Sequence, residues 1–221
     1  MKSFIKKYLP TYLFVPIVIL IVSNLVVYYG SKEINEMLAR PYIDMTGVLE
    51  AATPVIPAFA VVYVAAFPFW YISYYLLCRS SKKLCYEIVL TDVIAKIFCG
   101  FLFVMIPTTN IRPEVTGSGI GEMFLRYIYL TDTPYNLFPS VHCLESWLVF
   151  SYIRDSRAKL PVKIAVFILA VAICLSTVFT VQHVWLDVIA GILTAEFFKA
   201  FVPYIIGVFS ASKVKPLPVR Y

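Results

Sequence analysis

Long apolar runs separated by short polar stretches set the rhythm of this chain. A membrane-spanning helix needs about 20 mostly apolar residues. Six stretches read as candidates: residues 9–29, 54–78, 85–107, 140–153, 161–181 and 184–209. The fourth is short and more polar than the rest, and Pro68 is expected to kink the second. The start, MKSFIKKYLP, is basic ahead of an apolar run, as in a signal peptide. That run is too long for a typical signal core, and VVYYGSKE offers no small-residue cleavage site, so a retained first helix is expected.

Two stretches between the runs are longer than turns. Residues 30–53 mix polar and apolar positions in a way that suits a helix lying on the membrane surface. Residues 108–139 hold VTGSGIG and then GEMFLRYIYLTD, which reads as a short amphipathic helix ahead of the fourth run. No repeat of fixed period is visible. The tail KVKPLPVRY reads as unstructured. The expected architecture is all-α: one six-helix membrane bundle over residues 1–221.

Composition agrees. Of 221 residues, 61% are hydrophobic and 14% charged, with a mean hydropathy of +0.83. Soluble domains carry roughly 45–50% apolar and about 25% charged residues. The surplus excludes a soluble enzyme, a disordered chain and a nucleic-acid binder with a polar charged surface. The net charge of +6 reads as cations flanking membrane segments. Lys2, Lys6, Lys7, Arg79, Lys82, Lys83, Arg154, Arg157, Lys159, Lys163, Lys213, Lys215 and Arg220 would share one side. Lys32, Arg40, Arg112 and Arg126 would share the other. Basic residues favour the cytoplasmic side, so both termini are expected inside, in the cytoplasmic membrane. Cys78, Cys85, Cys99, Cys143 and Cys174 show no metal spacing and read as small apolar side chains.

With that orientation, polar residues converge at the outer face. Arg112 follows the third run. Ser140 and His142 open the fourth. His183 and Asp187 open the sixth, and Gln182 precedes them. His142 and His183 are the chain's two histidines. Residues i and i+4 share a helix face, so Asp187 can bond one nitrogen of His183 and leave the other as a nucleophile. Three readings stand at this point: polar residues resting at helix ends, a metal site of two histidines and an aspartate, or a phosphate-handling site. A nearby arginine disfavours the metal.

The segment Phe138-Pro139-Ser140-Val141-His142 resembles the Pro-Ser-x-His motif of the type 2 phosphatidic acid phosphatase superfamily. LSTVFTVQHVWLD resembles its third motif, and Ile111-Arg112-Pro113 the end of its first. The resemblance implies that His183 attacks phosphorus, Asp187 orients it, and His142 protonates the leaving alcohol and then activates the acceptor. Arg112 and Ser140 would bind phosphate oxygens. No metal or other cofactor is implied. The implied substrate is a lipid phosphate or phospholipid, with the site on the extracytoplasmic side.

Two positions depart from the family pattern. Met105 stands where the first motif has lysine, and Ser176-Thr177 where the third has Ser-Arg. The loss of two cations suits a phosphodiester, which carries one negative charge, better than a phosphomonoester with nearly two. Sphingomyelin and inositol phosphorylceramide synthases, relatives in this superfamily, keep the His-His-Asp set and act on phosphodiester lipids. Hydrolysis of a lipid phosphate ester is the leading expectation and head-group transfer the alternative. A non-enzymatic transporter or scaffold is the third.

The remaining polar residues get simpler readings. Asp92 and Lys96 are expected to neutralise each other, as are Glu196 and Lys199. Glu145 is placed either to tune His142 or to bind a neighbouring helix. Ser176, Thr177 and Gln182 are second-rank candidates around the site. Arg40-Pro41 lies outside the family order. Trp185 is expected to wall the pocket, and most other tyrosines and tryptophans to sit in interface belts.

Overall fold

A computed structural model describes residues 10–212, with side chains through residue 208. About 75% of it is helical. The helices are α1 (Phe14–Met37), α2 (Val48–Ala52), α3 (Phe59–Ser80), α4 (Lys82–Met105), α5 (Ile120–Thr131), α6 (Val141–Asp155), α7 (Leu160–Phe179) and α8 (Trp185–Ser212). Two short strands join them, β1 (Ile43–Asp44) and β2 (Thr108–Thr109).

Five of these helices, α1, α3, α4, α7 and α8, are long and apolar enough to cross a membrane. The expected sixth, α6, has only 15 residues. At 1.5 Å per residue it reaches about 22 Å, short of a hydrocarbon core of about 30 Å. Its inner position explains its polarity. It packs against α7 and α8 and gives Leu144, Leu148 and Val149 to a core shared with α3 and α4. Apolar residues such as Val22, Ile72, Ile168 and Leu193 stay exposed on the other helices, as expected of surfaces that face lipid.

Local chemistry sets the boundaries. Ser81 alone separates α3 from α4, and its hydroxyl accepts the Leu84 N–H at 3.4 Å, a side-chain cap. Ser140 caps α6 in the same way, accepting the Cys143 N–H at 3.3 Å. A proline opens α7, where its missing donor costs nothing. Pro68 lies inside α3 without ending it.

The bundle has two ends. At one, Tyr12 donates to the Cys78 carbonyl at 3.1 Å, Arg154 pairs with Glu196 at 2.8 Å, and Lys199 pairs with Asp155. Glu196 and Lys199 therefore do not pair with each other; each reaches across from α8 to the end of α6. At the other end the loops are knitted together. β1 and β2 pair in parallel, Ile43 with Thr108 and Asp44 with Thr109. The Thr108 hydroxyl accepts the N–H groups of Leu137 and Phe138, both at 3.1 Å. The Asn110 amide donates to the Val181 carbonyl at 3.0 Å. Residues 106–119, 132–140 and 180–184 are thereby held against one another.

The 30–53 stretch is not one surface helix. α1 runs on to Met37 because its polar residues have partners: buried Asn35 donates to the Phe103 carbonyl at 2.9 Å, and Ser31 accepts from Asn136 at 3.1 Å. Only Val48–Ala52 is separately helical. Arg40 donates to the Val104 carbonyl, so it closes a loop and lies outside the site. Asp92 and Lys96 do pair, at 2.9 Å. Glu145 joins them on the Lys96 ammonium, and Tyr74 donates to Asp92 at 2.8 Å. All three ionic groups are buried, as charged groups inside a bundle must be if they are paired. Lys2, Lys6, Lys7, Lys213, Lys215 and Arg220, and the tail expected to be unstructured, lie outside the described residues.

Candidate active site

Four segments meet at the knitted end: the loop after β2, the loop after α5, the start of α6 and the turn between α7 and α8. That last turn is tight. α7 ends with Val181 in the left-handed region, φ 53°, where glycine is usual. A β-branched residue there is strained, and hydrogen bonds hold it. The Thr177 carbonyl accepts the N–H groups of Gln182 and His183 at 2.8 and 3.0 Å, and the Thr180 N–H reaches the Ser176 carbonyl at 3.0 Å. Ser176 and Thr177 thus support the turn with their backbone. Their hydroxyls donate to the carbonyls of Ile173 and Cys174, so Thr177 does not replace the missing arginine. Met105 is 54% exposed at the end of α4 and supplies no cation either.

The turn delivers His183 beside Asp187. Its Nδ1 lies 3.3 Å from Asp187 Oδ2, and the same oxygen accepts the Val184 N–H at 3.0 Å. Burial pulls the imidazole down, but the hydrogen bond to Asp187 and its charge outweigh this and hold His183 above its ordinary value. The start of α6 docks directly on α8. The Ser140 N–H donates to the Asp187 carbonyl at 3.1 Å. Gly191 makes the approach possible, because a Cβ there would meet the Ser140 carbonyl at 2.5 Å.

That docking places His142 opposite His183, with ring centroids 6.1 Å apart. His142 Nε2 has no hydrogen-bond partner. Its ring stacks on Tyr63 at 4.4 Å and meets Trp70 at 5.1 Å and Phe67 at 5.9 Å. Arg112 approaches from a third side. Nη2 donates to Gln182 Oε1 at 2.7 Å, Nη1 donates to the Asp132 carbonyl, and the guanidinium lies 5.0 Å over the Tyr129 ring. Its Nε is buried without a partner. Burial pulls the guanidinium down, and the charge of Asp132 opposes that.

His142, His183, Arg112 and Gln182 line one cavity of about 510 Å³ together with Asp132 and Glu145. Arg112 is the one lysine or arginine on its wall among the described residues. Ser140 is not on this wall; it is fully buried at the start of α6, with its oxygen engaged in the cap. Glu145 reaches the cavity wall but spends its charge on Lys96, which decides for the neighbouring helix over His142. Trp185 is not on this wall. Its indole donates to Thr53 at 3.1 Å and its ring meets Phe179 edge-on. Among the described residues no cluster of three His, Cys, Asp or Glu groups forms a metal-ligand set.

Three wall residues carry no signal in the sequence. Asp132, Tyr28 and Tyr63 form a hydrogen-bonded group on the far side of His142. The tyrosines read as interface residues, and Asp132 as the end of a loop helix. Only the apposition of α1, α3 and the loop after α5 reveals them.

Comparison with curated proteins and with solved structures returns no match. The model of the PAP2 superfamily matches residues 108–209. That range begins at β2 and contains Arg112, Asp132, Ser140, His142, His183 and Asp187. Over residues 108–209 the chain is thus similar to the PAP2 superfamily, whose type is phosphatase and phosphotransferase work on phosphate esters.

Proposed function

We propose that this protein hydrolyses a lipid phosphate ester through a phosphohistidine at His183. The observation that carries the reading is the pair of facing histidines, 6.1 Å apart, with Arg112 on the same cavity wall. In the first step His183 Nε2 attacks phosphorus, because Nδ1 is engaged by Asp187. The bond from phosphorus to the lipid oxygen breaks, and His142 gives that oxygen its proton. In the second step His142 takes a proton from water, the new oxygen bonds to phosphorus, and the bond to His183 breaks. Arg112 holds the nonbridging oxygens, and the Ser140 hydroxyl is assigned to them with it.

The lipid part of the reading is supported by a groove of about 280 Å³ between α1 and α3. It shares Leu25, Phe67, Trp70 and Tyr71 with the catalytic cavity, so an apolar tail there leads to the histidines. A second outcome, head-group transfer to a lipid hydroxyl, is favoured by the single guanidinium on the cavity wall. One cation balances a phosphodiester better than a phosphomonoester.

Purified protein given a panel of lipid phosphomonoesters and phosphodiesters decides the reaction, with mass spectrometry of the lipid products and assay of free phosphate. A lipid alcohol plus free phosphate supports hydrolysis, and a new phosphodiester lipid supports transfer. No change in any ester contradicts both. We further propose that the knitted end faces outward. A membrane-impermeant thiol reagent on intact cells should then label a cysteine at Ser118 and spare one at Ser156, in a cysteine-free background. The reverse pattern would place the site on the cytoplasmic face.

A further inference from the structure

Asp132 connects the two sides of the cavity. Its backbone carbonyl accepts Arg112 Nη1, while its carboxylate accepts the hydroxyls of Tyr28 and Tyr63, the latter at 2.9 Å. Tyr63 in turn lays its ring on His142, 24° from parallel. Trp70, a second face of the enclosure, is pinned by its indole N–H on Ser146 at 2.8 Å. The two histidines are therefore held by different means. His183 has a carboxylate on one nitrogen. His142 has aromatic rings around it and no hydrogen-bond partner on Nε2.

We propose that Asp132 and Tyr63 are positioning residues that favour the protonated form of His142. An aromatic face attracts a cation, and desolvation strengthens that attraction. A phenol that donates to a carboxylate has a more electron-rich ring than a free phenol. Its face therefore favours imidazolium over imidazole, and the carboxylate adds its own attraction from behind the ring. The same residue holds Arg112 through its carbonyl, so one residue places the phosphate ligand and offsets part of the burial and of the His183 charge that pull His142 below its ordinary value. This inference rests on the reading of His142 as the acid for the leaving alcohol.

The test compares an aryl phosphodiester, whose leaving group needs no proton, with an alkyl phosphodiester lipid, using full-length protein in detergent. Asp132→Asn keeps the carbonyl that Arg112 uses and removes the charge. Tyr63→Phe keeps the stacked ring and removes its hydrogen bond. Each should raise the aryl-to-alkyl ratio of kcat about tenfold with KM changed less than about twofold. Tyr63→Leu, which removes the ring, should raise the ratio further, toward that of His142→Ala. A proportional loss on both esters, or the wild-type ratio in both Asp132→Asn and Tyr63→Phe, overturns the proposal. If Asp132→Asn fails to fold, Tyr63→Phe decides by the same ratio. Should wild-type protein turn over neither ester, the phosphotransfer reading fails with it. Should His142→Ala raise the ratio while Asp132→Asn and Tyr63→Phe both match wild type, this inference alone fails.

Discussion

Nδ1 of His183 lies 3.3 Å from Oδ2 of Asp187, and that oxygen also accepts the Val184 N–H. The carboxylate is thus fixed by the backbone of the turn it orients, and it selects the tautomer that leaves Nε2 free. Asp187 is fully buried, so its charge acts on the ring with little screening.

A pH dependence follows. Burial lowers the affinity of His183 for a proton, but the hydrogen bond and charge of Asp187 outweigh it, so the group titrates above its ordinary 6.5. An attacking imidazole must be neutral. kcat/KM should therefore fall as pH drops through this raised value, with the acid limb above pH 6.5. In Asp187→Asn burial is opposed only by the weaker pull of Cys143 and Asp132, so the limb moves to lower pH, while turnover on the plateau also falls. The profile is measured on a phosphodiester, whose charge does not titrate in this range. The same limb in both proteins would disconnect Asp187 from His183.

His142 faces His183 from another helix and has no carboxylate on Nε2, which suits a group that trades its proton. General acids contribute about 10²–10⁴-fold. His142→Ala should lose that much on an alkyl ester and much less on a p-nitrophenyl ester. His183→Ala should lose activity on both, because no bond to phosphorus forms. Indistinguishable losses across leaving groups would void the division of roles.

Arg112 divides its fork between the Asp132 carbonyl and Gln182 Oε1, leaving Nε without a protein partner. A lysine has one compact charge and cannot span these positions. Arg112→Lys should cost about 10²-fold in kcat/KM. Gln182→Ala, which frees one arm and removes no charge, should cost less. A lysine variant with wild-type kcat/KM would mean that phosphate is held elsewhere.

The contact of α6 with α8 makes a stability prediction. At Gly191 an added Cβ meets the Ser140 carbonyl at 2.5 Å and Cys143 Cβ at 3.1 Å. Backbone cannot yield as a flexible side chain does, so Gly191→Ala should destabilise by about 1–3 kcal/mol. It should also lower activity by moving His142 from His183. Gly207, with nothing within 4 Å of its Cβ, is the control: Gly207→Ala should be neutral or raise Tm in detergent through helix propensity. Equal melting of the two variants would contradict the docking geometry.

Much of this was legible before any coordinates. The apolar runs mark the long helices because spanning lengths leave a strong signal, and residue type and order single out Arg112, His142, His183 and Asp187. The failures share one cause. Ser31 and Asn35 end the first apolar run on paper, yet α1 continues because distant residues satisfy them. Glu196 and Lys199 look like a local pair, yet Arg154 and Asp155 on another helix are better placed. Tyr63 looks like an interface residue until the bundle stacks it on His142. Spacing along one helix reports local partners only, and a bundle rewards distant ones.

The central claim is that His183 carries the phosphoryl group. It is tested most directly by rapid-quench peptide mass spectrometry of the protein turning over a phosphate ester confirmed as its substrate. The account predicts an acid-labile adduct on the peptide containing residue 183. The adduct should be absent in His183→Ala and still form on an aryl ester in His142→Ala. An adduct on another residue, or full turnover by His183→Ala, would contradict it.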